Sequence, residues 1–384
     1  MRKILIFIEY YLPGYKSGGP LQTIKNIVDI LGDNFEVSVV TFDRDVGDQT
    51  PYLGIESGVW CSVGRARVCY LSPDKIGFFK LKSLMQEQSY DTIYLNSFFS
   101  FRFSVLPTFV YNFIKPKGSL LIAPRGEFSP GALGIKPLKK RIYIALAKLV
   151  NFFKYASFHA STEMEKADIE AVIGSDAKIL IAKDLPNVSI PNFSDMDDLG
   201  AGSNTLRICF ISRLVPKKNL DYAITVLKSC KSAVKFTVFG SKEDPAYWAD
   251  CHRLLNELPS NVSWEYGGEL HPREVKSTFA RFDVFLFPTR GENYGHVIAE
   301  SLLSGTYALL SDQTPWVGLK DVGAGNAIPL SQKFEFVREI EEWSSLTPEE
   351  RFDRKLKIQK EARALVINDR DVEDNRALFS GKSF

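Results

Sequence analysis

The feature that most restricts the fold of this chain is an alternation of short apolar runs with longer segments of helical spacing. This alternation is typical of β-α-β units, in which helices cover both faces of a buried parallel sheet. Two series of apolar runs occur, separated by a stretch without periodicity. The first series predicts strands at 3–8, 36–41, 68–71, 92–95, 120–123 and 158–160, and the second at 206–211, 235–239, 262–266, 284–287 and 307–310.

The length of 384 residues is about twice that of a common domain, which favours two domains. Turn formers and acids at 186–202 predict the linker between them. We therefore predict an α/β protein of two Rossmann-like domains that face a central cleft, 1–195 and 196–384. A charged helical segment at 348–367 is expected to end the second domain, and the terminal helices could return to the first.

Composition and charge argue against several classes of protein. The net charge of +2 gives no reason to expect a nucleic-acid partner, and 45% hydrophobic with 24% charged residues is typical of a soluble globular chain. The five cysteines are odd in number and lack C-x-x-C spacing, which argues against a disulfide framework or a zinc site and favours a reducing cytoplasm. No apolar run approaches the roughly 20 residues that a membrane-spanning helix needs.

Positive charge is concentrated in one segment of the chain. Residues 101–160 contain ten Lys or Arg and one acid, Glu127, a net charge of +9. Near its centre, Lys139, Lys140 and Arg141 precede a run of apolar and aromatic positions. One interpretation is a domain helix with a solvated basic edge. The other is a surface that binds an anionic membrane or a soluble anionic glycan.

Carboxylates follow one strand of the second series in a suggestive pattern. Ligands of parallel α/β sheets bind at the carboxyl ends of strands, where helix N-termini offer free N–H groups. Glu292 follows strand 284–287, and a helix predicted to begin near Tyr294 or Gly295 carries Glu300. Eight helical residues span about 12 Å, so the two carboxylates should contact different parts of one extended ligand, such as a nucleotide sugar. The alternative is a surface helix with solvated glutamates.

Two other strand ends carry candidates for anion binding. Arg213 and Lys218 flank the turn after strand 206–211, where a guanidinium fork and an ammonium could together hold a diphosphate. Gly18 and Gly19 follow the first strand and would let the backbone approach a phosphate or sugar closely. The alternatives are a solvated basic loop and a loop without a ligand.

These elements, in this order, resemble the retaining glycosyltransferases with the GT-B architecture, often called family 4 and also glycosyl transferases group 1. The residues that carry the resemblance are Arg213 with Lys218, the segment 267–275, the E-x7-E block from Glu292 to Glu300, and, as in members that assemble bacterial polysaccharides, the segments 123–133 and 158–165.

The resemblance implies a hexosyltransferase that moves a sugar from a UDP- or GDP-linked donor to a glycan or lipid-linked glycan acceptor in surface polysaccharide biosynthesis. The second domain would hold the donor and the first the acceptor, in the cytoplasm or on the inner face of the membrane. The implied contacts are Glu300 with the ribose hydroxyls, the catalytic cations Arg213 and Lys218 with the diphosphate, the catalytic Glu292 and the backbone of Asn293, Tyr294 and Gly295 with the donor sugar, and Gly18 and Gly19 with the phosphates.

Four residues of the first half are candidates for the acceptor site: Asn96, Arg125, Glu127 and His159. Many relatives carry a histidine at the position of Asn96, and an asparagine side chain cannot take up a proton as a histidine can. Others carry a histidine at the position of Arg125. Each of Arg125, Glu127 and His159 could equally serve as an ion pair or a satisfied strand-end side chain.

The sequence has no His/carboxylate set at the predicted strand ends, so we expect transfer without a metal and with the sugar nucleotide as the only co-substrate. An epimerase of the same architecture would use the same nucleotide site, although it needs no acceptor surface. A non-catalytic scaffold that binds a sugar nucleotide or a glycan is the other alternative.

Overall fold

The computed structural model describes residues 1–134, 137–187 and 204–380. The chain divides into two compact units, Met1–Leu185 with Asp369–Phe384, and Pro186–Asn368. The expected boundary at residue 195 and nearly all of the predicted linker lie outside the described residues. Among the described residues, no helix is both long enough and apolar enough to cross a membrane.

The first unit is built on one sheet. Its described residues form eight strands in the order β3-β4-β2-β1-β5-β6-β7-β8, all parallel to their neighbours except β3, which is antiparallel to β4. The strands are β1 Arg2–Phe7, β2 Phe35–Phe42, β3 Trp60–Val63, β4 Ala66–Leu71, β5 Thr92–Leu95, β6 Ser119–Ile122, β7 Ala156–Ala160 and β8 Ile179–Ile181. The helices between them are α1 Gly19–Leu31, α2 Phe78–Gln86, α3 Leu106–Ile114, α4 Pro130–Leu133, α5 Pro137–Leu149 and α6 Glu163–Ile173.

Both faces of this sheet are buried, which explains why its strands are continuous apolar runs. Successive side chains of a strand point to opposite faces. In β1, Ile4 and Ile6 belong to one apolar cluster, and Leu5 and Phe7 belong to another. The helices therefore cover two hydrophobic layers, one on each side of the sheet.

The second unit repeats this plan. Its described residues form six parallel strands in the order β11-β10-β9-β12-β13-β14. The strands are β9 Leu206–Ile211, β10 Val234–Phe239, β11 Val262–Gly268, β12 Val284–Phe287, β13 Tyr307–Ser311 and β14 Gly325–Ile328. The helices are α7 Leu220–Leu227, α8 Pro245–Leu255, α9 Val275–Ala280, α10 His296–Leu303, α11 Lys333–Ser344 and α12 Pro348–Val366.

The order of strands in the second unit reverses between β9 and β12, which are neighbours in the sheet but distant in the chain. Crossovers leave such a switch point in opposite directions, so a crevice opens at the carboxyl ends of these two strands. Both predicted anion-binding motifs of this unit follow these two strands. The topology therefore brings Lys218 to Glu292, although the two residues are 74 positions apart in the chain.

The chain ends in the first unit. Helix α13, Asp369–Ser380, follows α12 and belongs with residues 1–185. Its Phe379 is fully buried, with ring centroids 5.3 Å from Tyr94 and 6.1 Å from Phe35. The Asn375 amide donates a hydrogen bond of 2.8 Å to the carbonyl of Lys183. This helix thus completes the core of a unit whose sheet is formed by the first half of the chain.

Candidate functional site

The loop between β12 and α10 begins the candidate donor site. Helix α10 starts at His296, within two residues of the predicted start near Tyr294 or Gly295, and Gly295 precedes it with a φ of 80°. This left-handed conformation favours glycine, and a Cβ at Gly295 would lie 2.9 Å from Cδ1 of Ile298. Glycine at this position therefore allows the chain to turn sharply from Glu292 into the helix, whose N-terminus is a favourable place for an anion.

Lys218 and Glu292 form a partly buried ion pair at the switch point. Lys218 ends a 3-10 turn after β9, and its Nζ lies 5.5 Å from the ring centroid of Phe287, the last residue of β12. The Glu292 amide donates to the carbonyl of Gln313 at 3.0 Å, which fixes this part of the loop. The structure thus joins a cation and a carboxylate that the sequence placed in two separate motifs.

Lys217 is a neighbour of this pair that sequence reasoning missed. Its carbonyl accepts hydrogen bonds from the Arg290 amide at 2.9 Å and from Thr289 Oγ1 at 3.2 Å, so its turn is tied to the loop before Glu292. Its side chain is half-buried, and Cε lies 3.8 Å from where a Cβ on Gly291 would stand. In the described part of the chain, its ammonium has neither a hydrogen bond nor an ion pair.

The charges around Lys217 oppose one another. Burial is the main reason that the pKa of Lys217 is lowered; Glu292 acts in the opposite direction, whereas Lys218 and Arg213 lower the pKa further. The turn therefore brings two lysines close to one carboxylate, Glu292, with Arg213 near enough to act on the pKa of Lys217. Such an excess of positive charge on a half-buried turn suits a multivalent anion.

Arg213 has a different carboxylate partner from Lys218. Its guanidinium contacts both oxygens of Glu243, at 3.3 and 3.0 Å, and both side chains are about half exposed. Because an exposed ion pair contributes little stability, Arg213 can exchange this partner at low cost. The influence of Arg213 on the pKa of Lys217 places it within electrostatic reach of the turn.

Glu300 lies in the middle of α10 and is separate from the Lys218–Glu292 pair in its electrostatics. Burial raises the pKa of Glu300 to about 7, and the nearby Lys276 opposes this rise. Lys276, in α9, is itself buried and donates to the carbonyl of Asn187 at 2.6 Å. Glu300 is thus not a solvated surface glutamate, and each predicted carboxylate faces its own lysine.

The remaining donor-site candidates shape the loop. Tyr294 is buried, and its carbonyl accepts a hydrogen bond of 2.6 Å from the Trp316 indole. The ring of Tyr294 lies 5.4 Å from that of Trp316 and 4.9 Å from that of His296. Asn293, by contrast, is only half-buried. The loop is therefore anchored at Tyr294, between two positions that can face a ligand.

In the first unit, Gly18 and Gly19 stand at the start of α1. Gly18 precedes the helix with a φ of 68°, which favours glycine, and Gly19 is its first residue. A Cβ on either residue would meet no atom within 4 Å in the described residues. Both glycines thus lie on open backbone at a strand–helix junction, as the sequence predicted.

Three acceptor candidates, Arg125, Asn96 and His159, form one buried network with Tyr94. The Arg125 guanidinium bonds to Asp184, to the Tyr94 oxygen and, at 2.7 Å, to Oδ1 of Asn96. Burial, the largest single effect, would lower the pKa of Arg125, but Asp184, Tyr94 and Glu165 together outweigh it and the net change is upward. Asn96 also donates to the carbonyl of Pro20 at 3.2 Å. Arg125 is thus a permanently charged residue whose guanidinium is already engaged with three partners.

Both ring nitrogens of His159 are engaged. Nε2 lies 2.7 Å from the carbonyl of Ala182 and must donate to it, so Nδ1 accepts from the Tyr94 hydroxyl at 2.7 Å. Burial, aided by Arg125, lowers the pKa of His159 to about 4. A neutral imidazole with both nitrogens bonded is not available as a base at neutral pH.

Glu127 joins two strand ends. Its carboxylate accepts from the amides of Phe98 and Phe99, at 2.6 and 3.0 Å, and from the Ser97 hydroxyl at 2.8 Å. Burial raises the pKa of Glu127 in spite of these hydrogen bonds. The geometry therefore favours the structural alternative for Arg125, Glu127 and His159 over a direct role toward an acceptor.

No group of three or more His, Cys, Asp or Glu within the described residues is arranged to hold a metal ion. Taken together, the contacts described above define the candidate site of the second unit: the Lys217–Lys218 turn, the loop from Glu292 to Gly295, and Glu300 with Lys276.

Part of the chain that contains this site matches a known protein family. Residues 193–363 match the family model of the glycosyl transferases group 1. A sequence comparison with curated proteins found no match. Among solved structures, Anabaena HepE in complex with UDP and glucose is 16% identical with a TM-score of 0.70, and the match covers 98% of each chain.

Two further structures match over nearly their whole length. Sucrose-phosphate synthase from Thermosynechococcus elongatus is 13% identical with a TM-score of 0.73, covering 99% of each chain. A trehalose-6-phosphate synthase is 10% identical with a TM-score of 0.70, covering 100% of this chain and 99% of that one. The second unit therefore matches the glycosyl transferases group 1 family, and the whole chain has the GT-B fold of two parallel-sheet α/β domains.

Proposed function

We propose that this protein is a glycosyltransferase that takes its sugar from a nucleoside-diphosphate sugar bound to the second unit. The observation that carries the proposal is the Lys218–Glu292 pair at the switch point, with Lys217 beside it and the N-terminus of α10 following. This site lies within residues 193–363, which match the glycosyl transferases group 1 model.

The cations would act on the leaving group. Breaking the bond between the anomeric carbon and the diphosphate leaves negative charge on phosphate oxygen, which preorganised cations and helix N–H groups stabilise. Lys218, Lys217 and Arg213 are the cations of the turn, and α10 supplies the N–H groups. Glu292 neutralises Lys218 in the structure, so entry of a diphosphate would let the lysine exchange one anion for another.

The carboxylates would hold the two ends of the donor. Once Lys218 turns to the diphosphate, Glu292 can accept hydrogen bonds from the hydroxyls of the donor sugar, assisted by the backbone from Asn293 to Gly295. Glu300 would accept from the ribose hydroxyls. Burial raises the pKa of Glu300. Hydrogen bonds donated by a bound diol and the charge of the neighbouring Lys276 would both favour its ionised form.

The finer assignment follows the family resemblance. We propose a family 4 hexosyltransferase that retains the anomeric configuration, uses a UDP- or GDP-linked donor and needs no metal. UDP and UDP-glucose are present in structures of the Anabaena relative, which supports a UDP-linked donor. The acceptor would be a glycan or a lipid-linked glycan in surface polysaccharide assembly. The five free thiols fit the cytoplasm, where a lipid-linked acceptor would place the enzyme on the inner face of the membrane.

Thermal-shift measurements with UDP, GDP, ADP and CMP test this proposal. One nucleotide at 100 times its dissociation constant should stabilise the protein by about 2.7 kcal/mol. Lys218→Ala should weaken this effect, whereas Lys320→Ala, at an exposed position outside the site, should retain it. EDTA should not reduce the shift or the slow release of nucleoside diphosphate from the matching sugar nucleotide.

Stabilisation by no nucleotide would contradict the donor site. Stabilisation without any release of nucleoside diphosphate, even with candidate acceptors present, would instead indicate a binding protein. Activity that EDTA abolishes and magnesium restores would contradict the metal-free part of the proposal.

A further inference from the structure

Helix α5 presents an apolar row to solvent. The row consists of Leu138, Ile142, Leu146 and Leu149, which are 70%, 51%, 57% and 81% exposed. Their spacing of four, four and three residues places them on one face of the helix. Val150, which follows the helix, is also exposed. A helix of a globular protein normally turns such a row toward the core, and an exposed apolar row is typical of an interaction surface.

The other face of α5 already serves the core. Ala147 is buried, and the ring of Tyr143 lies 5.6 Å from that of the buried Phe98. Lys140 belongs to this inner side as well, since its Nζ donates to the carbonyl of Ala132 at 2.7 Å and lies 4.8 Å from the ring centroid of Phe99. The exposed row is therefore a second apolar face, in addition to the one that packs.

The charges beside the row have one sign. Lys139, Arg141, Lys148 and Lys154 are exposed, and the sequence contains no Asp or Glu between Glu127 and Glu163. The sequence grouped Lys140 with Lys139 and Arg141 as one cluster, but its contacts assign it to the packing of the unit. The outward charge of this surface comes from the other four residues.

The surface continues onto α3. The Asn112 side chain donates to the carbonyl of Phe152 at 2.8 Å, which places α3 beside the segment that follows α5. Phe109 and Phe113 of α3 are exposed. Lys115, after α3, lies 5.8 Å from the ring centroid of Tyr155. Exposed apolar side chains and a lysine therefore also occur on or directly after α3, next to the segment that follows α5.

We propose that α5, with the adjoining end of α3, is a docking surface for an anionic lipid bilayer. A row of large apolar residues bordered by lysine and arginine is the pattern of a helix that lies in the membrane interface: the apolar side chains enter the acyl boundary and the cations face anionic headgroups. Long lysine side chains can extend past the apolar row to reach those headgroups.

The charges distinguish this partner from two others. A second copy of the chain would bring like charges together across the interface, which is unfavourable. A soluble polyanion would satisfy the cations and leave the apolar row in water. A bilayer satisfies both features. This surface is defined without any sugar nucleotide, so membrane docking is independent of the proposed transfer reaction.

Sedimentation with vesicles tests the proposal. The full chain should sediment with vesicles of phosphatidylglycerol and phosphatidylcholine but not with phosphatidylcholine alone, and rising salt should reduce the bound fraction. A row variant, Ile142→Ser/Leu146→Ser/Leu149→Ser, and a charge variant, Lys139→Glu/Arg141→Glu/Lys148→Glu, should each weaken binding at least tenfold. Because these side chains are exposed, circular dichroism and the melting temperature should remain those of the wild type.

A matched control lies in the second unit. Phe334→Ser/Lys357→Glu removes an exposed apolar side chain and reverses an exposed charge away from α5, and it should bind vesicles as the wild type does. Wild-type protein that ignores anionic vesicles would overturn the proposal. Vesicle binding that the row variant retains would also overturn it, because it would mean electrostatic adsorption alone. So would a dimer in size-exclusion chromatography that the row substitutions dissociate, because the row would then bind a second copy of the chain.

Discussion

At the scale of single residues, the Lys217–Lys218 turn shows how neighbouring lysines can have different environments. Lys218 is paired with Glu292, whereas the ammonium of Lys217 is half-buried beside that pair and has no bonded partner among the described residues. Side chains at adjacent positions of a turn point in different directions, so only one of them reaches the carboxylate. The unpaired one is available to an incoming anion.

We predict that Lys218→Ala and Lys217→Ala each lower kcat/KM for the sugar nucleotide by at least about tenfold, because a charge-assisted hydrogen bond to a phosphate contributes about 1.5–3 kcal/mol. The double variant should lose less than the sum, since both cations act on one diphosphate. Steady-state kinetics measures this, with Lys320→Ala as the control. Undiminished activity in both single variants would exclude the turn as the phosphate site.

His159 should make the stability of the first unit depend on pH. Its pKa is about 4 in the folded chain and about 6.5 in an unfolded one, so the unfolded state binds more protons between these values. Stability from this residue is complete above pH 6.5 and is lost as the pH falls toward 4, by about 3 kcal/mol in all.

Urea unfolding at a series of pH values should show this dependence. His159→Gln should flatten the loss of stability between pH 6.5 and 4, while His252→Gln, at an exposed position, should leave it unchanged. The slopes are compared rather than the absolute stabilities, because glutamine cannot replace both imidazole bonds. Equal slopes in all three proteins would contradict the assigned protonation.

At the scale of elements, the sequence predicted all the central strands and one edge strand, β11, and missed three strands at sheet edges. Every strand it predicted is present, with ends that differ by at most two residues. The missed strands are β3, β8 and β14, which each lie at the edge of a sheet. β3 and β8 are short and contain no fully buried residue, so their apolar pattern is weak. In β14, Gly325 further weakens the pattern, although the 2.3 Å that a Cβ would leave to the Ala308 carbonyl explains the glycine.

The candidate site divides in the same way. Lys218, Glu292 and the start of α10 could be located from the sequence because they lie in the segments that follow the buried apolar strands β9 and β12. The pairing of Arg213 with Glu243, the exposure of Lys217 to three charges and the two hydrogen bonds of His159 could not, because each depends on side chains from another part of the chain. Local pattern locates a strand end, and tertiary contacts decide what each side chain there is bonded to.

Helix α13 offers a test of one element's contribution. Phe379→Ala should destabilise the first unit by about 3–5 kcal/mol, as expected when a fully buried phenylalanine leaves a cavity. Hydrogen exchange should accelerate in peptides from β1 and β5 and much less in peptides from β12 and β13. The exposed Phe334 provides the control, since Phe334→Ala should alter neither. Uniform acceleration in both units would mean that they unfold as one cooperative body.

At the scale of the whole molecule, the fold is shared far more widely than the sequence. Identities of 10% to 16% accompany matches over 98% to 100% of the chain. A fold shared at such low identity hosts many substrates, so the donor and the acceptor depend on a small number of side chains around the strand ends. The charged helical segment near 348–367 did end the second unit, as α12, but the chain then continued into a helix of the first unit.

That return of the chain has a consequence for biosynthesis. Domains usually fold one after another as the ribosome makes them, the N-terminal one first. Here Phe379 and Leu378 fill the core of the first unit, but they are translated only after all of the second unit. Throughout that interval the nascent first unit must leave an apolar gap beside Phe35 and Tyr94 open to solvent. Exposed apolar surface of this kind promotes aggregation, and α13 can cover it only after both units have been made.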